Sequence, residues 1–211
     1  GITIAAGTTD GCATFLASGA TEPGEASTAL GSTIVLKLLS DRPIFAPELG
    51  IYSHRIGDTW LAGGASNCGG KTLLQFFSQE QLASLESSLD PAKPTGNDYY
   101  PLPSVGERFP VSDSKLAPRL TPRPADDAQF LQGIYEAFAR VKQTVFAKLT
   151  ALGGPTLRNV RHAGGGSRSA AWMSLRASAL GVPQHTAWSE EAAAGAARLA
   201  WRSLGHEIAF T

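Results

Sequence analysis

The sequence offers nothing long enough to cross a bilayer: no apolar run approaches the ~20 residues that a membrane-spanning helix needs. Its opening, Gly-Ile-Thr-Ile, lacks the basic flank and apolar length of a secretory signal. Cysteine is scarce. Cys12 and Cys68 form neither a disulfide framework nor a paired metal-ligand spacing, and read as two free thiols of a reducing compartment. The histidines (His54, His162, His185 and His206) show no His-Glu-x-x-His or similar spacing, which argues against zinc chemistry. Net charge is also lacking: 18 Lys+Arg balance 18 Asp+Glu, so no global field draws in nucleic acid or an anionic membrane surface. These absences point to a soluble, cytoplasmic protein without nucleic-acid or membrane partners. Methionine is nearly missing, and the only one, Met173, lies late in a chain that opens on a strand-like run, as expected of a piece of a longer protein.

What is present is a 211-residue chain, 43% hydrophobic, enough to bury one large core. Ile2–Ala6 reads as a buried strand feeding the small-residue loop Gly7-Thr8-Thr9-Asp10-Gly11. Thr28–Leu39 turns around Gly31-Ser32-Thr33. Tyr52–Arg55 and Thr59–Ala62, split by Ile56-Gly57-Asp58, read as a hairpin. Gly69–Leu89 has the apolar spacing of one or two amphipathic helices. From Pro91 to Pro124 eight of the 13 prolines crowd together, which predicts a long irregular excursion anchored by Tyr99, Tyr100 and Phe109. Ala125–Leu152 repeats apolar residues every three to four positions up to Gly153-Gly154-Pro155, a helix with its stop signal. The remainder alternates strand (Leu157–Ala163), loop, helix (Ser169–Leu180), strand (Gln184–Trp188) and helix (Glu190–Leu204), the signature of an α/β domain.

Three glycine loops carry the functional signal. Ala163-Gly164-Gly165-Gly166-Ser167 sits between a strand and a helix, where missing Cβ atoms let the main chain approach a flat or anionic ligand and the helix start offers free N–H groups. A tight turn with no ligand is the alternative. Ser169 and Trp172 follow in the first helical turn, placed to contact a nucleoside, with core packing the competing role for Trp172. The other two loops are Leu30-Gly31-Ser32-Thr33 and Gly63-Gly64-Ala65-Ser66-Asn67-Cys68-Gly69-Gly70. Converging glycine loops suit a polyphosphate, although none carries a Lys-Ser or Lys-Thr at P-loop spacing. Asp10 is the candidate reactive carboxylate: flanked by glycine at a strand end, it can take a hydroxyl proton as that oxygen attacks a γ-phosphoryl group. Capping the next helix is its other reading.

In order along the chain, Ala6-Gly7-Thr8-Thr9-Asp10-Gly11, Leu30-Gly31-Ser32-Thr33, Gly63-Gly64-Ala65-Ser66-Asn67, Tyr99-Tyr100-Pro101-Leu102, Gly106-Glu107-Arg108-Phe109-Pro110, Gly164-Gly165-Gly166 and Glu191-Ala192-Ala193-Ala194-Gly195-Ala196-Ala197 resemble the FGGY carbohydrate kinases, nearest to their ribulokinase/xylulokinase-like branch. The resemblance implies that residues 1–211 are the C-terminal nucleotide-binding domain of such a kinase. It implies an actin/hexokinase-like (ribonuclease H-like) ATPase fold with a mixed sheet flanked by helices. Asp10 then matches the catalytic base, Gly31, Ser32 and Thr33 the turn near the β- and γ-phosphates, and Gly64 a glycine lining the phosphate path. Gly164, Gly165 and Gly166 match the adenosine loop, with Ser169 and Trp172 beside ribose and base. ATP, Mg²⁺ and a small sugar such as ribulose or xylulose are the implied ligands, and the N-terminal domain of the same kinase is the implied partner. A non-catalytic actin-like nucleotide-binding module is the rival function.

Overall fold

A computed structural model describes residues 3–164 and 169–206. Helix α1 (Asp10–Ser18) ends at Gly19, whose φ of 93° stops it in the left-handed conformation. Strands β1 (Glu25–Leu30) and β2 (Ile34–Ser40) form a hairpin around Gly31-Ser32-Thr33, and β3 (Tyr52–Ile56) and β4 (Thr59–Ser66) form a second. Two short helices follow, α2 (Gly70–Leu73) and α3 (Gln79–Leu85), the latter opened by a Ser78/Gln81 capping box. The 25-residue α4 (Asp127–Ala151) leads into β5 (Asn159–Ala163), α5 (Ala170–Leu180), β6 (Gln184–Thr186) and α6 (Ala192–Ser203).

The strands make one mixed sheet in the order β3-β4-β2-β1-β5-β6, antiparallel except where β5 pairs with β1 and β6. Strand alternation sends Ala26, Leu38, Ala62 and Val160, neighbours in register, to one face. There they join Phe130, Ile134, Phe138 and Val145 of α4 and Trp172 of α5 in the main core. Each large apolar side chain so buried contributes about 1.5–3 kcal/mol of transfer free energy. On the opposite face Leu39 and Leu61 meet Cys12 and Phe15 of α1. Helices α1 and α6 lie backbone to backbone: a Cβ on Gly195 would stand 1.8 Å from the Ala13 carbonyl oxygen.

The excursion between Pro91 and Pro124 has neither helix nor regular strand. Isolated bridges pin it at Tyr100/Arg119 and Glu107/Asp113, while Tyr99, Leu102 and Phe109 plug into the core.

Two expectations are corrected. Residues 3–9 form no strand, and Ile4 is 92% exposed. A strand needs a paired neighbour, and these residues pair with none of the six strands. The second concerns the start of helix α1: Asp10 is its first residue and Thr9 its N-cap, so Asp10 does not cap it as its other reading had it. No helix among the described residues is long and apolar enough to cross a membrane.

Candidate functional site

Because β1 and β5 are parallel, with Ala29 opposite Ala163, the chain leaves both strands on the same edge of the sheet. Ligands of α/β sheets sit outside such carboxyl ends. At this edge the turn Gly31-Ser32-Thr33 packs on the start of α2: the Gly70 N–H donates to the Gly31 carbonyl at 2.8 Å and the Lys71 N–H to that of Ser32 at 3.3 Å. A Cβ on Gly69 would lie 2.6 Å from the Ser32 oxygen, so only glycine permits the approach. Gly164 (φ +88°) closes on the Leu30 carbonyl from the other side.

Beside this junction opens a cleft of about 440 Å³. Leu73, Leu74, Leu82 and Tyr135 give it an apolar wall, and Gly31, Ser32, Gly70 and Lys71 a polar end. Among the described residues the Ser32 and Thr33 amides donate to no backbone carbonyl. The cleft thus combines an apolar slot with a polar end that carries Lys71, and Glu86 also lines it.

Behind Tyr135 the site continues into the core. Its ring stacks on Trp172 at 4.8 Å between centroids. The Arg176 guanidinium (4.7 Å) and the Lys142 ammonium (5.1 Å) lie over the same indole. Lys142 Nζ donates to Thr28 Oγ1 (3.2 Å), which lies 2.7 Å from His162 Nδ1, and His162 Nε2 lies 2.6 Å from Gln184 Oε1. The Gln184 amide nitrogen donates to the Val182 carbonyl, so its oxygen faces the ring and accepts from Nε2–H. That fixes the remaining roles: Thr28 donates to an unprotonated Nδ1. The histidine is neutral, and burial, with the Lys142 and Arg176 charges, pushes its pKa down to about 2. Burial also drives Lys142 well below the usual lysine range and Arg176 to about 9, and it raises Tyr135 to about 12.

The residues singled out in the sequence divide into groups. Gly31 and Ser32 line the cleft with Thr33 beside them, and Gly164 stands against Leu30. Gly165 and Gly166 lie outside the described residues. Gly64 is buried in β4 and absent from the cleft wall; a Cβ there would sit 2.6 Å from the Phe109 ring, which gives its small size a packing reason. Ser169 spends its hydroxyl as the N-cap of α5, accepting from the Trp172 N–H at 3.2 Å. Trp172 is 0% exposed, so neither indole face is open to a base in this structure and Tyr135 occupies the cleft-side position. Asp10 is exposed and does not line the cleft. It is not the helix cap either: Thr9 holds that position, and the carboxylate's only hydrogen bond among the described residues comes from the adjacent Gly11 N–H. Tyr135, Lys71, Lys142 and His162 carried no recognisable motif. The nearest sequence signal was Tyr135's place in the apolar repeat of α4.

The family model for the C-terminal domain of the FGGY family of carbohydrate kinases matches residues 26–204. Among solved structures, the chain is similar to a xyloylose kinase from Brucella ovis, with 26% identity and a TM-score of 0.78 over 92% of this chain and 42% of that one. The xylulose kinase from Rhodospirillum rubrum (22% identity, TM-score 0.74) aligns over 95% of this chain and 42% of its own. Plasmodium falciparum glycerol kinase, solved with ADP (15% identity, TM-score 0.74), has the same coverage. The chain therefore spans about 42% of the length of these kinases. The six-stranded mixed sheet with flanking helices is the actin/hexokinase-like ATPase domain that the sequence led us to expect, and with the match running through 26–204 this chain belongs to the FGGY family of carbohydrate kinases, as its C-terminal domain.

Proposed function

We propose that the cleft holds the adenine nucleotide of a sugar kinase, with the purine against Tyr135, Leu73 and Leu82 and the phosphates toward Gly31, Ser32, Thr33, Gly70 and Lys71. The observation that carries this reading is the convergence of the glycine turns on one edge of the sheet beside an apolar slot. Residues 1–211 act as the nucleotide-binding half, and an N-terminal domain of the same kinase supplies the opposing wall and most of the sugar's contacts. Gly164, Gly165 and Gly166 form the adenosine-side loop in this reading. Ser169 and Trp172 lie at the start of α5, where Trp172 backs the Tyr135 ring.

The reaction is transfer of the γ-phosphoryl group of ATP to a hydroxyl of a ketopentose, ribulose or xylulose. As the sugar oxygen bonds to phosphorus and the bond to ADP breaks, Asp10 takes the hydroxyl proton. Its exposed carboxylate, held on one oxygen by Gly11 N–H, keeps the other free to accept. Among the described residues no three His, Cys, Asp or Glu side chains gather into a metal site. When bound with a nucleotide, Mg²⁺ would contact phosphate oxygens and water, its common mode with nucleotides. In-line transfer needs acceptor and phosphate fixed together, so this chain alone transfers no phosphate. These are proposed to take place in the cytoplasm.

The test is steady-state phosphorylation of ribulose and xylulose by the full-length protein and its Asp10→Asn variant. Turnover falls by about 10²–10⁴ if Asp10 is the base, while ADP affinity stays unchanged. Undiminished turnover removes Asp10 from the mechanism.

A further inference from the structure

Glu107 is 3% exposed, yet no cation pairs with it among the described residues. Its carboxylate is held instead by neutral donors from two parts of the chain. Oε2 accepts from the Ser66 hydroxyl at 2.6 Å and the Tyr100 hydroxyl at 3.2 Å; Oε1 accepts from the Asn67 N–H at 2.7 Å and the Arg108 N–H at 2.9 Å. Burying a charge without a counter-ion is costly. The Phe109 N–H (3.4 Å) and the Cys68 thiol (3.7 Å) also donate to the Glu107 carboxylate, and an acceptor-only group is the one that satisfies so many converging donors.

These donors lead directly to the cleft. Ser66 ends β4 and Asn67 follows it, and the next carbonyl, that of Cys68, accepts from the Ile34 N–H at 2.7 Å at the foot of the β1–β2 turn. Gly69 then presses on Ser32 and Thr33, and Gly70 and Lys71 bond to the carbonyls of Gly31 and Ser32. The path from the carboxylate to the turn is short and continuous in hydrogen bonds.

We infer that Glu107 is a positioning residue for the phosphate end of the cleft: it fixes residues 66–71, and through them the Gly31-Ser32-Thr33 turn, without touching the ligand. The inference rests on the nucleotide reading of that cleft. Glutamine at 107 keeps the shape but turns an NH₂ toward donors, so the loop loosens at the end where the phosphates lie and not at the Tyr135 wall.

Two measurements on wild type and Glu107→Gln test it. Amide hydrogen exchange at Gly70 and Lys71 should speed up by about tenfold in the variant, in line with the loss of charge-assisted hydrogen bonds, with no change in the interior of α4. Calorimetric titration should show ADP binding weakened by about tenfold and adenosine binding changed by less than about twofold. General destabilisation would move both ligands together. Equal losses for ADP and adenosine, or unchanged exchange at Gly70 and Lys71, would overturn the positioning role alone. A wild-type chain that binds neither ligand would overturn the nucleotide reading and this inference with it. If Glu107→Gln does not fold, Ser66→Ala and Tyr100→Phe each remove one donor and should show the same ADP-selective loss at about threefold.

Discussion

His162 should make this domain acid-sensitive well above the range where carboxylates titrate. Its ring is fully buried, with Nδ1 accepting from Thr28 and Nε2–H donating to Gln184, and two cations stand nearby. A protonated ring would lose the Thr28 bond and face Lys142. The folded-state pKa, about 2, lies below the ordinary 6.5. Between these values the unfolded chain binds the extra proton, so stability rises with pH and is lost as pH falls below about 6.5. The loss down to pH 5 depends only on the unfolded-state value and comes to about 2 kcal/mol. Urea unfolding of wild type and His162→Asn at pH 7.5, 6 and 5 measures it. Asparagine keeps a polar group toward Thr28 but cannot titrate. The variant should start less stable at pH 7.5, and its further decline to pH 5 should be smaller than that of wild type by about 2 kcal/mol. Any contribution from His54, whose pKa burial also lowers, is common to both proteins and cancels. Equal declines, or an imidazole signal for residue 162 that titrates near 6.5, would refute the neutral buried ring.

Tyr135→Ala removes the cleft's aromatic wall and should weaken ADP binding by about 1–3 kcal/mol, as loss of a base-stacking partner does; unchanged affinity by calorimetry would put the base elsewhere. Gly64→Ala drives a methyl to 2.6 Å from Phe109 and 2.8 Å from the Gly50 carbonyl. Overpacking of that kind should lower stability by about 1–3 kcal/mol, read as a fall in Tm. Lys37 is 4% exposed, its Nζ 4.2 Å from the Tyr52 ring centroid with no hydrogen-bond partner among the described residues, and burial brings its pKa to about 8. Its folded value lies below the unfolded one, so wild type should gain stability on Lys37→Met as pH rises from 8 toward 10.5; a constant difference between the two proteins in urea unfolding would contradict the buried, depressed amine.

Patterns that repeat locally were legible in the sequence. The 25 residues of α4 show their buried face every three to four positions, and the β3–β4 hairpin announces itself by Gly57-Asp58 between two short apolar runs. Ile2–Ala6 has strand composition, but composition does not reveal whether a segment finds a strand to pair with, and residues 3–6 pair with none of the six. The same limit hid most of the site. Gly31 and Ser32 were visible because a turn writes its chemistry into adjacent residues. The chain from Lys142 through Thr28 to His162 joins positions 114 and 134 apart, spacings that carry no local signal. Glu107 stood inside a recognisable motif, yet its task depends on Ser66 and Asn67, about 40 positions upstream. Trp172 sits near the expected nucleoside site in sequence, but the helix turns its ring inward onto Tyr135, a fact of side-chain direction rather than spacing.

The pairing of α1 with α6 imposes an order on synthesis. Cys12, Phe15 and Leu16 emerge from the ribosome among the first residues of this domain, but the helix that backs α1, with Gly195 against Ala13 and Arg198 donating to the Leu16 carbonyl at 2.9 Å, is translated some 180 positions later. The two hairpins can form early from local contacts, while β1 waits for β5 and α1 waits longer still. At about 5–20 residues per second, the Ala13 and Leu16 side of α1 lacks its α6 backing for roughly ten seconds or more, while Cys12 and Phe15 can already rest on Leu39 and Leu61.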